Sequence, residues 1–265
     1  MKIKDLINKS YYGTIGYISS KEDLENLERY ILYNLDILNE YKQIIVATNY
    51  KNYPELTKEN SNLWKKYFPN CVLLDSKTNR GHNHGYTDLD NLIINYCKTN
   101  NIEWICKSAN DTIIQPSLLI KDIPEVDFYY LNGIGYGGMV KYNFDNKRII
   151  NEDFYPQTNF YFINVSKIDY LNDKKYLDDS YEYVKSISNY NGKIWEYIKE
   201  WTCERFLRKC VERNELKTHH LISEEKYTKL LNHIKHSQIH DCSHKNLLIE
   251  GVCHYHFLNH PLYEI

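Results

Sequence analysis

The sequence predicts an α/β fold: a mostly parallel sheet flanked by helices, with antiparallel additions in the C-terminal half. Three observations predict it. Short apolar runs alternate with amphipathic helical stretches through the first 110 residues. One of those runs is followed by the glycine-containing segment Asn79-Arg80-Gly81-His82-Asn83-His84-Gly85, which leads into a helical pattern. After residue 126 the rhythm changes to β-like runs without a helix between them. Strand–helix–strand alternation forces parallel strands joined by right-handed crossovers, and adjacent β-like runs add antiparallel strands.

The elements follow in order. Residues 14–18 are short and β-leaning, and Ser19-Ser20 then offer a helix cap. Leu24, Leu27, Ile31, Leu35 and Leu38 recur at helical spacing with charges between them, the pattern of a helix with one buried face. Residues 43–48 read as a buried strand ending at Asn49-Tyr50, a second helix is expected near 55–67, and a strand at 72–74. The next helix is expected to start from a Thr87 cap, with Asp88 and Asp90 in its first turn, and to end near Asn100-Asn101. A strand over 102–108 closes this part. Beyond it, 126–131 and 158–165 are β-like around Gly133-Ile134-Gly135-Tyr136-Gly137-Gly138. Residues 180–213 and 223–236 read as helical, and 247–257 as a final strand.

Composition limits the function classes. At 265 residues the chain can bury a sizeable core as a single domain, a ligand-binding half over about 12–125 and a second half over 126–265. A charged fraction of 26% and a formal charge of −2 provide no basic excess for holding nucleic acid by its phosphates. No apolar run reaches the length of a membrane span and Met1-Lys2-Ile3-Lys4-Asp5 has no signal-peptide core, so a cytoplasmic protein without an integral membrane segment is expected. Seven scattered cysteines do not form a disulfide framework. The 26 tyrosines reflect a coding bias more economically than a function.

Two segments carry chemistry. A helix entered from the 79–85 loop directs its free N–H groups and positive end at that loop, a seat for an anion. Asn110-Asp111 closes the run Trp104-Ile105-Cys106 with a carboxylate at a strand's carboxyl end, where open α/β sheets bind ligands. An anion seat beside a carboxylate able to hold a cation suits a nucleotide diphosphate. The first turn lacks Gly-x-Gly-x-x-Gly, and no Gly-Lys-Ser/Thr occurs, so a dinucleotide enzyme or a phosphate-loop ATPase is disfavoured.

The order Ser19-Ser20, Asn49, Asn79-Arg80-Gly81, Ala109-Asn110-Asp111 resembles that of a GT-A-fold, nucleotide-sugar-dependent glycosyltransferase of the family-2-like kind, over most of residues 12–165. The resemblance implies a GT-A-like, Rossmann-like sheet. It also implies a UDP- or GDP-sugar donor, a glycan or other hydroxyl acceptor, and Mn²⁺ or Mg²⁺. Ser19 and Asn49 would hold the base, Asn79, Arg80 and Gly81 would border the diphosphate, and Asn110 and Asp111 would complete the donor site. Asp111 would bind the cation; Ala109 stands where the first acidic residue of that element is expected. A divalent ion with hard oxygen ligands neutralises a departing diphosphate, and Arg80 and His82 can meet the same oxygens.

On the acceptor side, the segment 157–163 resembles the strand that lines the acceptor pocket in these enzymes, with Asn159 facing the sugar. Glu204, on a helix with Tyr197 and Trp201 near its face, is placed as the catalytic base that accepts a proton from the attacking hydroxyl. An i,i+4 ion pair from Glu204 to Arg208 is the structural alternative, and Glu200 and Asp153 compete as bases. Inversion at the anomeric carbon follows if Glu204 is the base. The tail Gly251-Val252-Cys253-His254-Tyr255-His256-Phe257 resembles the element that completes the cation site in several GT-A enzymes, with His254 and His256 on one face of a strand as metal ligands. Two other classes stay open: a non-catalytic nucleotide- or carbohydrate-binding protein on the same scaffold, and a zinc-organised interaction module built from His233, His236, His240, Cys242, His244, Cys253, His254 and His256.

Overall fold

The computed structural model describes residues 1–49, 53–110, 112–132, 140–143, 148–151, 156–168, 174–186, 203–223, 246–249, 252–254 and 262–264. A short helix, α1 (Ile3–Lys9), precedes the alternating part. Its Ile3, Leu6 and Ile7 are fully buried. Ile3 N–H donates to Lys121 O, and Ile123 N–H to Met1 O, which fastens the N-terminus to the middle of the chain. Seven residues give only two turns, too few for periodicity to show in the sequence.

β1 (Tyr11–Gly16), α2 (Lys21–Leu38), β2 (Ile44–Asn49), α3 (Pro54–Tyr67), β3 (Val72–Ser76), α4 (Gly81–Thr99) and β4 (Trp104–Ala109) then alternate as expected. β1 lies earlier than the expected 14–18 stretch because Tyr12 is a core residue, fully buried with its ring against Tyr41. Ser20 caps α2 in a reciprocal box with Asp23, which offsets two of the donors a helix start leaves free. β1 pairs in parallel with β2 and β4, and β2 with β3. The resulting order β3-β2-β1-β4 places Gly16, Asn49, Ser76 and Ala109 along one edge.

α4 departs from expectation. It begins at Gly81, and Thr87, expected as its cap, is buried inside it. The segment 81–85 is thus the opening of the helix and not a loop. Gly81 enters it at φ 81°, a left-handed conformation that costs glycine little, and its N–H donates to Asn79 Oδ1 at 3.0 Å. Gly, His and Asn are weak helix formers; docking of this first turn against later helices overrides them.

The second half adds β5 (Thr112–Ile114), α5 (Pro116–Leu119), β6 (Phe128–Asn132), β7 (Val140–Asn143), β8 (Arg148–Asn151), β9 (Pro156–Asn164), α6 (Lys174–Ser186), α7 (Cys203–Arg213) and β10 (Thr218–His220). β9 lies antiparallel between β4 and β6, and β10 pairs in parallel with β6, giving a seven-stranded sheet. The antiparallel additions are therefore as expected. The expected helix over 180–213 is α6 and α7, with α6 starting earlier; residues 187–202, and 224–245 with most of the expected 223–236 helix, lie outside the described residues. The expected final strand over 247–257 is instead two: β11 (Asn246–Ile249) and β12 (Val252–His254) pair antiparallel, with Ile249 opposite Val252. Only Glu250 and Gly251, outside the described residues, separate those partners in sequence. β13 (Leu262–Glu264) follows, and the second sheet runs β13-β11-β12-β5. β7 and β8 pair on their own.

Two apolar layers cover the main sheet. Along β4, Trp104 and Cys106 join the layer with Leu27, Ile31 and Trp64, while Ile105 joins the opposite one with Leu89, Ile93, Leu207 and Cys210. Among the described residues, no helix is long and apolar enough to cross a membrane.

The second sheet hangs from one buried amide. Asn34 on α2 donates through Nδ2 to Tyr30 O and to Thr112 O, both at 3.1 Å, and its Oδ1 accepts from Ile114 N–H at 2.8 Å. Replacing a partner so that buried groups lose their hydrogen bonds costs about 1–3 kcal/mol for each group. Asn34→Leu strands Thr112 O and Ile114 N–H together, and urea unfolding is expected to show a loss of about 2–5 kcal/mol. Leu32→Ser on the exposed face of the same helix is expected to change stability by no more than about 0.5 kcal/mol.

Candidate functional site

The carboxyl edge of the four parallel strands also receives the first turn of α4, the start of β9 and the first turn of α7. Loops there are tied together by side chains. Thr14 Oγ1 donates to Asn110 Oδ1 at 2.7 Å, holding the turn after β4 against β1. Asn49 Nδ2 donates to Thr78 O at 3.0 Å, holding the end of β2 to the approach to α4. Gly16 lies against Asn60, whose Nδ2 would sit 2.2 Å from any added Cβ, so the end of β1 leaves no room for a side chain. Ser19 donates through N–H and Oγ to Asp23 Oδ2 and belongs to the α2 cap. Beside it stand two exposed rings the sequence reading did not single out, Tyr17 (53% exposed) and Tyr53 (40%), 6.3 Å apart edge to face.

At the head of α4, the Arg80 guanidinium meets two carboxylates. Nε and Nη2 donate to Asp88, and Nη1 donates to Asp178 Oδ1 of α6 at 2.7 Å. His84, fully buried, lies between the rings of Tyr181 and Phe206 with Nε2 2.8 Å from Ser180 Oγ. Ser180 gives its own proton to Leu177 O. The imidazole therefore carries its proton on Nε2, and Nδ1 is an acceptor without a partner among the described residues. Burial, reinforced by the Arg80 charge, lowers the His84 pKa to about 4, so the ring is neutral at physiological pH.

On the other side of the edge, Glu204 occupies the first turn of α7. Its Oε1 accepts from Thr158 Oγ1 and its Oε2 from the Cys203 thiol, both at 3.3 Å. Arg208 pairs with Glu212, one turn on. Asn159, next to Thr158, has a buried Oδ1 without a hydrogen-bond partner among the described residues. The pairing of β9 with β6 shifts register between Tyr130 and Asn132, opposite this stretch, and such irregularities re-aim side chains at strand ends.

Beneath Thr158 and Glu204 lies an ion pair missed in the sequence. Lys107 on β4 is fully buried, with Nζ 3.1 Å from Asp90 Oδ1 on α4. The geometry is that of a charge contact, not a directed hydrogen bond, since Oδ1 has no hydrogen-bond donor aligned on it. Lys107 Nζ donates to Tyr86 Oη at 3.0 Å, and Tyr86 in turn donates to Thr158 O at 2.8 Å. Tyr161 donates to Asp90 Oδ2 at 3.5 Å. Burial raises the Asp90 carboxyl above its ordinary pKa, opposed by Lys107. The available sequence signal was a lysine following Trp104-Ile105-Cys106 in a buried strand.

Of the expected site residues, Ser19, Asn49, Asn79, Arg80, Gly81, Asn110, Asn159 and Glu204 all lie on or beside this edge. Asp111, His256, Asp153, Glu200, Tyr197 and Trp201 lie outside the described residues, as do His233, His236, His240, Cys242 and His244. The backbone of His254 is described: β12 pairs antiparallel with β5 so that His254 stands opposite Thr112, the residue after Asp111. Among the described residues, no group of three or more His, Cys, Asp or Glu side chains is arranged to hold an ion.

No protein-family profile matches the sequence, and no curated protein does. Solved structures do resemble it. A nucleoside-diphosphate-sugar pyrophosphorylase from Vibrio cholerae is 11% identical, with a TM-score of 0.43 over 84% of this chain and 99% of that one. The inositol-1-phosphate CTP transferase from T. maritima is 12% identical, with a TM-score of 0.37 over 80% and 85%. A glycosyltransferase involved in glycosylation of the major capsid of PBCV-1 is 12% identical, with a TM-score of 0.30 over 71% and 74%. None of these similarities reaches a level that transfers an activity.

Removing one member of a buried ion pair costs about 3–5 kcal/mol, whereas replacing both by apolar residues is close to neutral. Lys107→Met is expected to lose stability on that scale at pH 7, and Lys107→Met/Asp90→Leu to recover most of it. The pH dependence has a definite sign. A carboxyl whose folded pKa is raised favours the folded state below its unfolded pKa, and that contribution is lost as pH rises through the folded value. The Lys107→Met deficit should therefore be smallest near pH 4 and grow toward pH 7 in chemical denaturation.

Proposed function

We propose that the chain is a GT-A-like glycosyltransferase that moves a sugar from a nucleotide-diphosphate donor to an acceptor hydroxyl with inversion. The observation that carries this is the convergence on one sheet edge of an arginine at the head of α4, a carboxylate in the first turn of α7, and a buried, unpartnered Asn159 Oδ1 beside that carboxylate. In this reading they form two opposite halves of a transfer site: groups for an anionic leaving group, and groups for an incoming hydroxyl.

In this proposal Tyr17 and Tyr53 flank the base between the ends of β1 and β2, with Asn49 and Ser19 beside them. Asn79, Arg80, Gly81 and Asn110 border the diphosphate. Asp111, with His254 and His256, holds Mn²⁺ or Mg²⁺; the register that sets His254 across from Thr112 supports this set. When bound, the ion supplies charge neutralisation to the departing diphosphate. Asn159 orients the acceptor hydroxyl. Glu204 takes its proton as the acceptor oxygen bonds to the anomeric carbon, and the bond from that carbon to the diphosphate oxygen breaks with its electron pair leaving on phosphate.

Thermal melting against UDP-, GDP-, CMP- and dTDP-sugars, each with Mn²⁺ and with EDTA, tests the donor assignment. One nucleotide should raise the melting temperature, and only with the metal. Asp111→Ala should abolish that rise while leaving the unliganded melting temperature in place. Glu204→Gln should keep donor binding within a few-fold and lower transfer by about 10²–10⁴; turnover within a few-fold of wild type would place the base elsewhere.

A further inference from the structure

The head of α4 carries more negative charge than its arginine needs. Arg80 and Asp88 form a bidentate pair, with side chains only 14% and 17% exposed, and their charges already cancel. Asp178 approaches from a different element, α6, and its side chain is 48% exposed. It takes the Nη1 edge of the guanidinium, while the Tyr181 ring lies 5.3 Å from Cζ. Two carboxylates on one guanidinium leave a net negative charge where the diphosphate reading puts an anion. The fully buried His84 next to them keeps a ring nitrogen without a partner among the described residues, so the contact has hydrogen-bonding capacity that α6 does not satisfy.

We infer that Asp178 is an internal stand-in for a phosphate group: its carboxylate occupies the edge of Arg80 that a donor phosphate takes, and donor binding displaces it. This rests on the diphosphate role proposed for Arg80. The chemistry is an exchange of one anion for another. Carboxylate and phosphate oxygens accept the same guanidinium N–H groups, and the half-exposed carboxylate regains water as it leaves. The Asp88 pair, more buried and on the same helix, keeps Arg80 aimed throughout. Asp178 thereby sets donor affinity and couples it to the docking of α6, because the Arg80–Asp178 bond is one of the ties that hold α6 to α4.

Calorimetry with Mn²⁺–UDP, Mn²⁺–GDP and magnesium pyrophosphate, at low ionic strength, tests this on the full chain. Asp178→Asn should bind the preferred probe roughly five- to tenfold tighter, the scale expected from removing one partly screened charge about 4 Å away. Ser180→Ala loosens the same helix without changing its charge and should give no such gain. In wild type, amide exchange over residues 174–186 should speed up on binding. Unchanged affinity in Asp178→Asn, with weaker binding in Arg80→Gln, would overturn the inference and leave the diphosphate role of Arg80 standing. Binding indifferent to both substitutions would overturn both. Binding seen only in Asp178→Asn would support the inference outright, and no binding in either protein would overturn it.

Discussion

The buried contact between Lys107 and Asp90 is the constraint on which the arrangement of the edge depends. A lysine inside an apolar layer between sheet and helix is costly to desolvate, and it is tolerated only when a carboxylate and further hydrogen bonds meet it. Here both partners, Asp90 and Tyr86, come from α4, and β9 joins them through Tyr161 to Asp90 and through Thr158 O to Tyr86. Asp90 and Tyr86 stand one turn apart on α4, so the pair fixes both the height and the rotation of that helix over β4. Tyr86 passes the constraint to the Thr158 carbonyl, and Thr158 Oγ1 passes it to Glu204. One ion pair thus links the helix whose head carries Arg80 to the strand that carries Asn159 and to the carboxylate at the start of α7. An apolar pair would pack this space as well. It would not fix these three segments against one another with directional bonds.

Asn34 plays the equivalent part on the opposite layer. Its amide meets both the carbonyl of Thr112 and the N–H of Ile114, so β5 can sit in only one register against α2. β5 then templates β12, and with it the position of His254 along the chain. The two polar insertions, one in each apolar layer, bracket the turn at Asn110 in sequence: Lys107 three residues before it and Thr112 two residues after it. Thr14 holds the turn itself through Asn110. The turn that closes β4 is therefore held from three sides by groups drawn from β1, α2 and α4.

Much of this architecture was legible because it is local. The alternation of apolar runs and amphipathic stretches gives β1 to β4 in order, and the cap at Ser19-Ser20 was read directly, without its partner Asp23. What was illegible is instructive. The start of α4 was placed at Thr87 since Gly81 to Gly85 contain poor helix formers; the contacts of His84 with Tyr181 and Phe206, about a hundred residues away, override that propensity. β11 and β12 were merged into one strand because only two residues separate them in sequence. Asn34 and Lys107 read as polar interruptions of otherwise apolar patterns, and their partners are far away in sequence or on another element. Glu204 was proposed from its place on a helical face and Asn159 from a resemblance to an acceptor strand, whereas Tyr86, Asp90 and Asp178 had no motif to announce them.

The charge balance of the edge leads to one more step. Arg80 is matched by Asp88 before Asp178 is counted, and Lys107 is matched by Asp90. Glu204 adds a further carboxylate in the first turn of α7, where the helix dipole favours an anion and offsets it only in part. Arg80 and Lys107 therefore bring no net positive charge to it. A diphosphate leaving group develops negative charge as its bond to the sugar breaks, and that charge has to be met within the site. Displacing Asp178 frees one edge of one guanidinium, which answers a single oxygen. In the proposed reading the remainder falls to the positive end of α4 and to a divalent ion brought in from solution. On this balance, the way the protein has already neutralised Arg80 and Lys107 supports the proposed cation.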